Sequence, residues 1–343
     1  MSDLIPDHWK SWLFENKLSG IPDDVLVSTM RGHGFSEAAV REECRAIGAH
    51  PYFQAAKKSV REFNKITSSL DVRADLRHLS SRFGRVDRRD RPTPGEFLDA
   101  YYSQNLPVVL TGMMERWSAL AVWRPDYFIS NFGDAEVEVM SGRGANENYE
   151  IEIHKHRSTM RFGDYVKSVF EDGPTNDYYL VANNDLFAKK AFQPLLGDLE
   201  MFPGFLDPAQ REGRVFFWMG PAGTVTPLHH DQNNIFLAQV IGRKQVKLIS
   251  PEQTHLVYNH IGVFSQVDLK NPDDEKFPLF KKATVLDFVL DPAEVLFIPV
   301  GWWHFVESLD SAVLVSFTNF VFPNLFAFRN PEGELVTQDT TYR

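Results

Sequence analysis

The chain holds a single cysteine, Cys44, among 343 residues. One thiol excludes an intramolecular disulfide and a zinc site built from clustered cysteines. No run approaches the roughly 18 uninterrupted apolar residues of a membrane helix. The first residues carry Asp3, Asp7, Lys10, Glu15 and Lys17, so they lack the apolar stretch of a signal peptide. Internal repeats and low-complexity tracts are absent. Positive charge is short: 36 Lys and Arg stand against 46 Asp and Glu, a net charge of −10. That balance argues against a dedicated nucleic-acid binder and suits a basic protein or peptide as partner. The expected setting is a reduced, cytoplasmic compartment away from membranes.

What is present is aromatic. The 28 Phe and 7 Trp suit a β-rich core with apolar pockets. Residues 1–85 nevertheless read as a helical extension. Trp9, Trp12 and Leu13 share one helix face, Pro22 with Asp23 and Asp24 opens a second helix, and Ser36 can cap a third. A further helical stretch runs from Tyr52 to about Leu79. Between Lys57 and Arg91 there are 11 basic and 5 acidic residues, a locally basic segment in an acidic protein. It is either a solvated helix face or a contact surface for an acidic partner or a second subunit.

Character changes at Arg91-Pro-Thr-Pro94, and residues 86–343 are expected to form the main domain. Residues 106–111, 136–140 and 178–182 have strand composition, with helical segments at 95–102 and 125–132. From Val215 strands dominate, at 215–218, 234–241, 244–250, 295–299, 303–308 and 312–320. Their close spacing predicts a mainly β fold with helices, a jelly-roll or barrel.

The chemistry concentrates in Thr226-Pro-Leu-His-His-Asp231. On a strand His229 and Asp231 project to one side while His230 points away. Alone this is equally a polar strand end. A third candidate ligand lies in Val295-Leu-Phe-Ile-Pro-Val-Gly-Trp-Trp-His304. A histidine in so apolar a run needs a partner for its ring, which a backbone carbonyl or a metal can supply. Two histidines and one carboxylate match the facial triad of non-haem Fe(II) oxygenases. After a turn at Gly242-Arg243 the chain returns as Lys244-Gln-Val-Lys-Leu-Ile-Ser250, expected to form a hairpin with 234–241. Alternation puts Lys244 on the apolar face with Val246 and Leu248. There it either snorkels to water or meets an anion, such as the far carboxylate of a dicarboxylic acid bound to iron. The Thr226 hydroxyl could assist.

The segment from about Pro92 to Phe322 resembles the JmjC (cupin-like) family of Fe(II)/2-oxoglutarate oxygenases. Its arginyl-hydroxylase type and its asparaginyl-hydroxylase type (factor inhibiting HIF) are nearest in motif. The matching strings are Phe217-Trp-Met-Gly-Pro221, Thr226–Asp231, Gly242-Arg-Lys-Gln-Val246, Ser265-Gln-Val-Asp268, Asn271-Pro-Asp273, Glu275-Lys-Phe-Pro278 and Leu296-Phe-Ile-Pro299 with Trp303-His304. The resemblance implies a double-stranded β-helix with iron at its mouth, held by His229, Asp231 and His304. It implies 2-oxoglutarate contacts at Lys244, Thr226, Tyr179 and Asn319, with O2 as the other co-substrate. By the same likeness Glu138 and Trp218 match residues that hold a target arginine, a pairing suited to a guanidinium. One position departs: relatives often carry asparagine six residues after the first histidine, where this chain has Ile235.

These features predict a dioxygenase that hydroxylates a side chain of a protein or peptide, a basic one such as arginine. The alternatives are a small-molecule or RNA hydroxylase, an N-methyl-lysine demethylase and a non-catalytic cupin binding module. The helical extension is suited to substrate recognition or to forming a homodimer.

Overall fold

The computed structural model describes residues 2–182, 186–329 and 335–336. Two compact units divide the chain, Met1–Leu76 and Arg77–Arg343. The division falls nine residues before the boundary at residue 85 expected from the sequence, inside a helix.

The first unit is helical: α1 (Asp7–Leu18), α2 (Asp23–Gly32), α3 (Glu37–Ala49) and most of α4 (Pro51–His78). Ser36 caps α3 by accepting the backbone N–H of Ala39 at 3.3 Å. Leu13, Leu26, Met30, Val40, Cys44 and Phe53 pack into a small core of their own. The lone cysteine is therefore core filling. Beyond Phe53, α4 buries no residue fully.

The second unit is built on two six-stranded sheets. The first contains β1 (Asp87–Asp90), β2 (Val108–Thr111), β5 (Val215–Gly220), β7 (Ile235–Ile241), β12 (Val295–Ile298) and β14 (Ala312–Phe317), in the order β1-β2-β12-β7-β14-β5. The second contains β6 (Val225–His230), β8 (Lys244–Ile249), β9 (Asn259–Ile261), β10 (Phe264–Ser265), β11 (Leu286–Leu290) and β13 (Trp303–Ser308), in the order β11-β8-β13-β6-β10-β9. A separate ribbon pairs β3 (Glu136–Met140) with β4 (Arg157–Arg161). Val109, Ile235, Leu237, Leu296, Ile298 and Leu314 from the first sheet meet Val246, Leu248 and Val306 from the second. The outer face of the first sheet is buried too: Phe217, Phe236, Phe297 and Val315 pack against Phe97, Phe128 and Phe162. Burial on both faces explains why 295–299 and 312–317 read as continuous apolar runs without alternation. The aromatic excess is largely this outer layer. The mainly β fold with a helical N-terminal region is as the sequence predicts.

Three local expectations are corrected. Residues 178–182 do not form a strand. Tyr179 and Leu180 make single bridges, to Met140 and Met219, so the segment links the β3–β4 ribbon to β5 without a ladder. The turn at Gly242-Arg243 does not close a hairpin, because β7 and β8 belong to different sheets. The chain crosses between layers there. Gly242 has φ +70°, and an added Cβ would clash with the Ser311 carbonyl oxygen. Finally, β6 ends at His230, so Asp231 lies one residue past the strand.

Candidate metal centre and adjoining anion pocket

β6 and β13 are antiparallel neighbours with His229 directly opposite His304. Cross-strand partners share a face, and here the two ring centroids are 4.0 Å apart. The Asp231 carboxylate comes within 3.7 Å of His304 Nε2. Its backbone carbonyl accepts the N–H of Gly301 at 3.0 Å, tying the end of β6 to the turn before β13. One ligand atom from each of His229, Asp231 and His304 falls within 4.8 Å of the others.

Both imidazoles are oriented by their own strands. Nδ1 of His229 lies 2.8 Å from the Pro227 carbonyl, and Nδ1 of His304 lies 2.9 Å from the Trp302 carbonyl. A carbonyl only accepts, so Nδ1 carries the proton and Nε2 is left as a lone-pair donor. Burial, and then the neighbouring His229, holds the His304 pKa well below the ordinary histidine value. His304 is therefore neutral near pH 7, and its approach to Asp231 is not an ion pair. His230 points the other way as expected. It is buried edge-on against Trp303 at 4.7 Å, and burial pushes its pKa down to about 4. Two imidazole nitrogens and one carboxylate oxygen, pre-oriented by the backbone, fit a divalent metal of the non-haem iron type.

Lys244 opens β8 opposite Ser308, while Leu248 stands opposite His304. Period-two alternation then places Lys244, Val246 and Leu248 on the face that carries His304, Val306 and Ser308. Lys244 is only 2% exposed. Its ammonium donates to the Tyr179 hydroxyl at 3.1 Å and to the Ser308 hydroxyl at 3.2 Å. Both partners are neutral, and among the described residues no carboxylate pairs with it. A buried ammonium in that state lacks a counter-anion.

Thr226 joins this face through a bulge. It lies three positions before His229, a spacing that in a regular strand would send the two to opposite sides. The pairing register shifts, however: His229 faces His304 and Thr226 faces Val306, so β6 carries one extra residue between these pairs. Tyr179 is fixed by two main-chain bonds to Met140, each 2.9 Å. Its ring lies where an alanine at Gly220 would intrude, at 2.7 Å. Asn319 is anchored differently. Its amide donates to the Asp207 carbonyl at 2.7 Å, and its Oδ1 is buried without a partner. The departing residue Ile235 fills the core between the sheets.

Trp218 packs beside Tyr179, and Glu138 lies on the ribbon strand β3. Glu138 shares a strand face with Met140, which clusters with Tyr179 and Trp218. The Trp218 indole N–H donates to Ser316 Oγ at 2.8 Å, and its ring lies 5.8 Å from that of Tyr179. Glu138 is half-buried. Its Oε1 has no hydrogen bond, although Arg157 Nη1 stands 3.5 Å away. At that separation the contact is a loose ion pair. Sequence reasoning missed Ser308, which pairs with Lys244 in register, and Arg143, a buried arginine on the loop after β3. Strand pairing alone could have pointed to Ser308, and nothing in the local sequence marks Arg143.

Residues 94–322 match the family model described as a cupin-like domain. The chain is 33% identical over 233 residues to lysine-specific demethylase 8 of Xenopus tropicalis, covering 66% of this chain and 51% of that protein. It is 33% identical over 241 residues to lysine-specific demethylase JMJ30 of Arabidopsis thaliana, covering 68% and 54%. To tRNA wybutosine-synthesizing protein 5 of Gallus gallus it is 30% identical over 245 residues, covering 67% and 76%. The chain thus spans about half the length of the two demethylase relatives. Fold, paired histidines and family match agree, and the chain belongs to the JmjC type of the cupin-like family.

Proposed function

We propose that the protein is an Fe(II)- and 2-oxoglutarate-dependent dioxygenase that hydroxylates a side chain of a protein or peptide. The observation that carries this reading is Lys244: a buried ammonium on the histidine-bearing face, met only by hydroxyls. A metal-binding cupin without an acidic ligand has no use for such a group. A dicarboxylate chelating the metal through its 2-oxo-acid end would extend its far carboxylate toward Lys244, with Tyr179, Ser308 and Thr226 around it.

With iron and both co-substrates bound, such a centre couples 2-oxoglutarate and O2 to succinate, CO2 and one oxygen inserted into a substrate C–H bond. The chain's own residues supply the setting. His229, Asp231 and His304 would hold the metal, which would supply the site at which co-substrate and oxygen meet. The apolar wall of Val246, Leu248 and Val306 excludes water. Glu138 and Trp218 support a basic target: the half-buried carboxylate can accept a guanidinium fork, and the indole face attracts a cation. Arginine suits the planar fork better than lysine does.

Hydroxylation and demethylation differ in the target carbon. Oxygen inserted into an N-methyl group leaves as formaldehyde, whereas insertion into a side-chain carbon stays. The test is incubation of arginine-containing and methyl-lysine-containing peptides with enzyme, Fe(II), 2-oxoglutarate and O2, followed by mass spectrometry. A one-oxygen gain that disappears in Asp231→Ala is expected. Loss of a methyl group with formaldehyde release would instead assign a demethylase, and full turnover by Asp231→Ala would remove the metal centre from the reaction.

A further inference from the structure

The loop after β3 carries a second buried cation that the proposed reaction leaves unused. Arg143 follows Gly142 in a short turn, and its side chain is 1% exposed. Nη2 donates to Glu150 at 2.8 Å and to the Val225 carbonyl at 2.7 Å. The guanidinium carbon lies 4.3 Å from the centre of the Tyr149 ring and 5.3 Å from that of Tyr179. Nη1 is buried and has no hydrogen-bond partner.

Three features link this group to the Lys244 site. First, Tyr179 is shared: its ring lies beside Arg143 while its hydroxyl takes the Lys244 ammonium. Second, Val225, whose carbonyl Arg143 binds, directly precedes Thr226 on the bulged strand. The Tyr149 hydroxyl donates to the same carbonyl at 3.2 Å, and Asn176 accepts the Val225 N–H at 2.9 Å, so the attachment is rigid. Third, the charges do not balance. Lys244 and Arg143 flank one tyrosine, and among the described residues Glu150 is the single carboxylate paired with either. Burying an N–H donor with no acceptor is unfavourable, because its lost hydration is not replaced. A ligand oxygen arriving beside Tyr179 removes that cost.

We infer that Arg143 is the second cationic contact for the far carboxylate of the co-substrate, donating from Nη1 directly or through one ordered water. Paired with Lys244, it makes the site select a dicarboxylic 2-oxo acid over a monocarboxylic one. This inference rests on the reading of Lys244 as a carboxylate receptor. It adds that the loop between β3 and β4, which starts beside Glu138, carries part of that receptor.

The test uses the full chain loaded with Mn(II), with affinity measured by calorimetry for 2-oxoglutarate and for 2-oxopentanoate, which lacks the far carboxylate. Arg143→Met with Glu150→Gln removes both charges, leaving no stranded carboxylate. It is expected to weaken 2-oxoglutarate binding roughly 10- to 150-fold, the worth of a charge-assisted contact, while 2-oxopentanoate affinity stays unchanged. Arg143→Lys keeps the charge but loses the fork, so its loss should be smaller and of the same kind. An unchanged ratio between the two acids in both variants, even with a lowered melting temperature, would make Arg143 a structural pin and overturn the inference. Failure of the unaltered protein to prefer 2-oxoglutarate would instead bring down the co-substrate reading itself.

Discussion

Adjacent residues in this chain have opposite fates, and His229 and His230 illustrate it. One imidazole turns its Nε2 toward Asp231 and His304, and the other is buried against Trp303. His229→Ala should therefore abolish Mn(II) or Fe(II) binding measured by titration, with little change in melting temperature. His230→Ala should keep metal binding and lose stability, by about 1–3 kcal/mol for an emptied buried site. Equal metal loss in the two variants would mean that the outward orientation of His230 is not maintained in solution. Lys244 gives the complementary case. Lys244→Met should weaken 2-oxoglutarate binding roughly 10- to 150-fold, the equivalent of about 1.5–3 kcal/mol, since the carboxylate loses a charged donor. Unchanged affinity would require another receptor. Arg243 is a poor substitute, because it is exposed and pairs with Asp310 at 2.8 Å.

Strands, rather than single residues, determine which of these groups meet. The alternation of Lys244, Val246 and Leu248 was legible because β8 has one buried and one half-buried face. The sequence reading also grouped Thr226 with His229, but strand alternation would part them; the extra residue in β6 that unites them is visible only in the pairing with β13. Pro227 is the local sign of it, as proline within a strand favours bulges and edges. The passage from β7 to β8 misled for a similar reason. Gly242-Arg243 has the composition of a hairpin turn, and layer exchange is a property of the whole sheet arrangement. The same turn is a sensitive point. Gly242→Ala would force a left-handed φ on a residue whose Cβ meets the Ser311 carbonyl, at a cost of at least about 1–3 kcal/mol. A fall of several degrees in melting temperature, with weaker 2-oxoglutarate binding as Lys244 shifts, is the expected result. A variant as stable as the parent would show that the turn can relax freely.

For the molecule as a whole, the two units have separate cores, and the residues around the metal centre all lie in the second. A chain beginning near Arg77 should thus bind Mn(II) and 2-oxoglutarate within about twofold of full length, as expected where no residue is shared. A much larger loss would give the helical unit a direct part in the site. If binding survives while turnover of a protein substrate falls, the helical unit serves recognition. The meeting of His229, Asp231 and His304 could be anticipated, because a His-x-Asp pair and a distant histidine in an apolar strand need only one act of pairing to meet. Arg143 was opaque, since its burial is created by Tyr149, Glu150 and β6 together.

The two carbonyls that orient His229 and His304 belong to the main chain, at Pro227 and Trp302. A side-chain partner would be one mutation away from loss, whereas every residue type offers a carbonyl. The aim of both imidazoles is thereby insulated from sequence drift at positions 227 and 302, as long as the strand path is kept. Substitutions around a metal held there would leave the direction of the two ring nitrogens unchanged, because the backbone path fixes it.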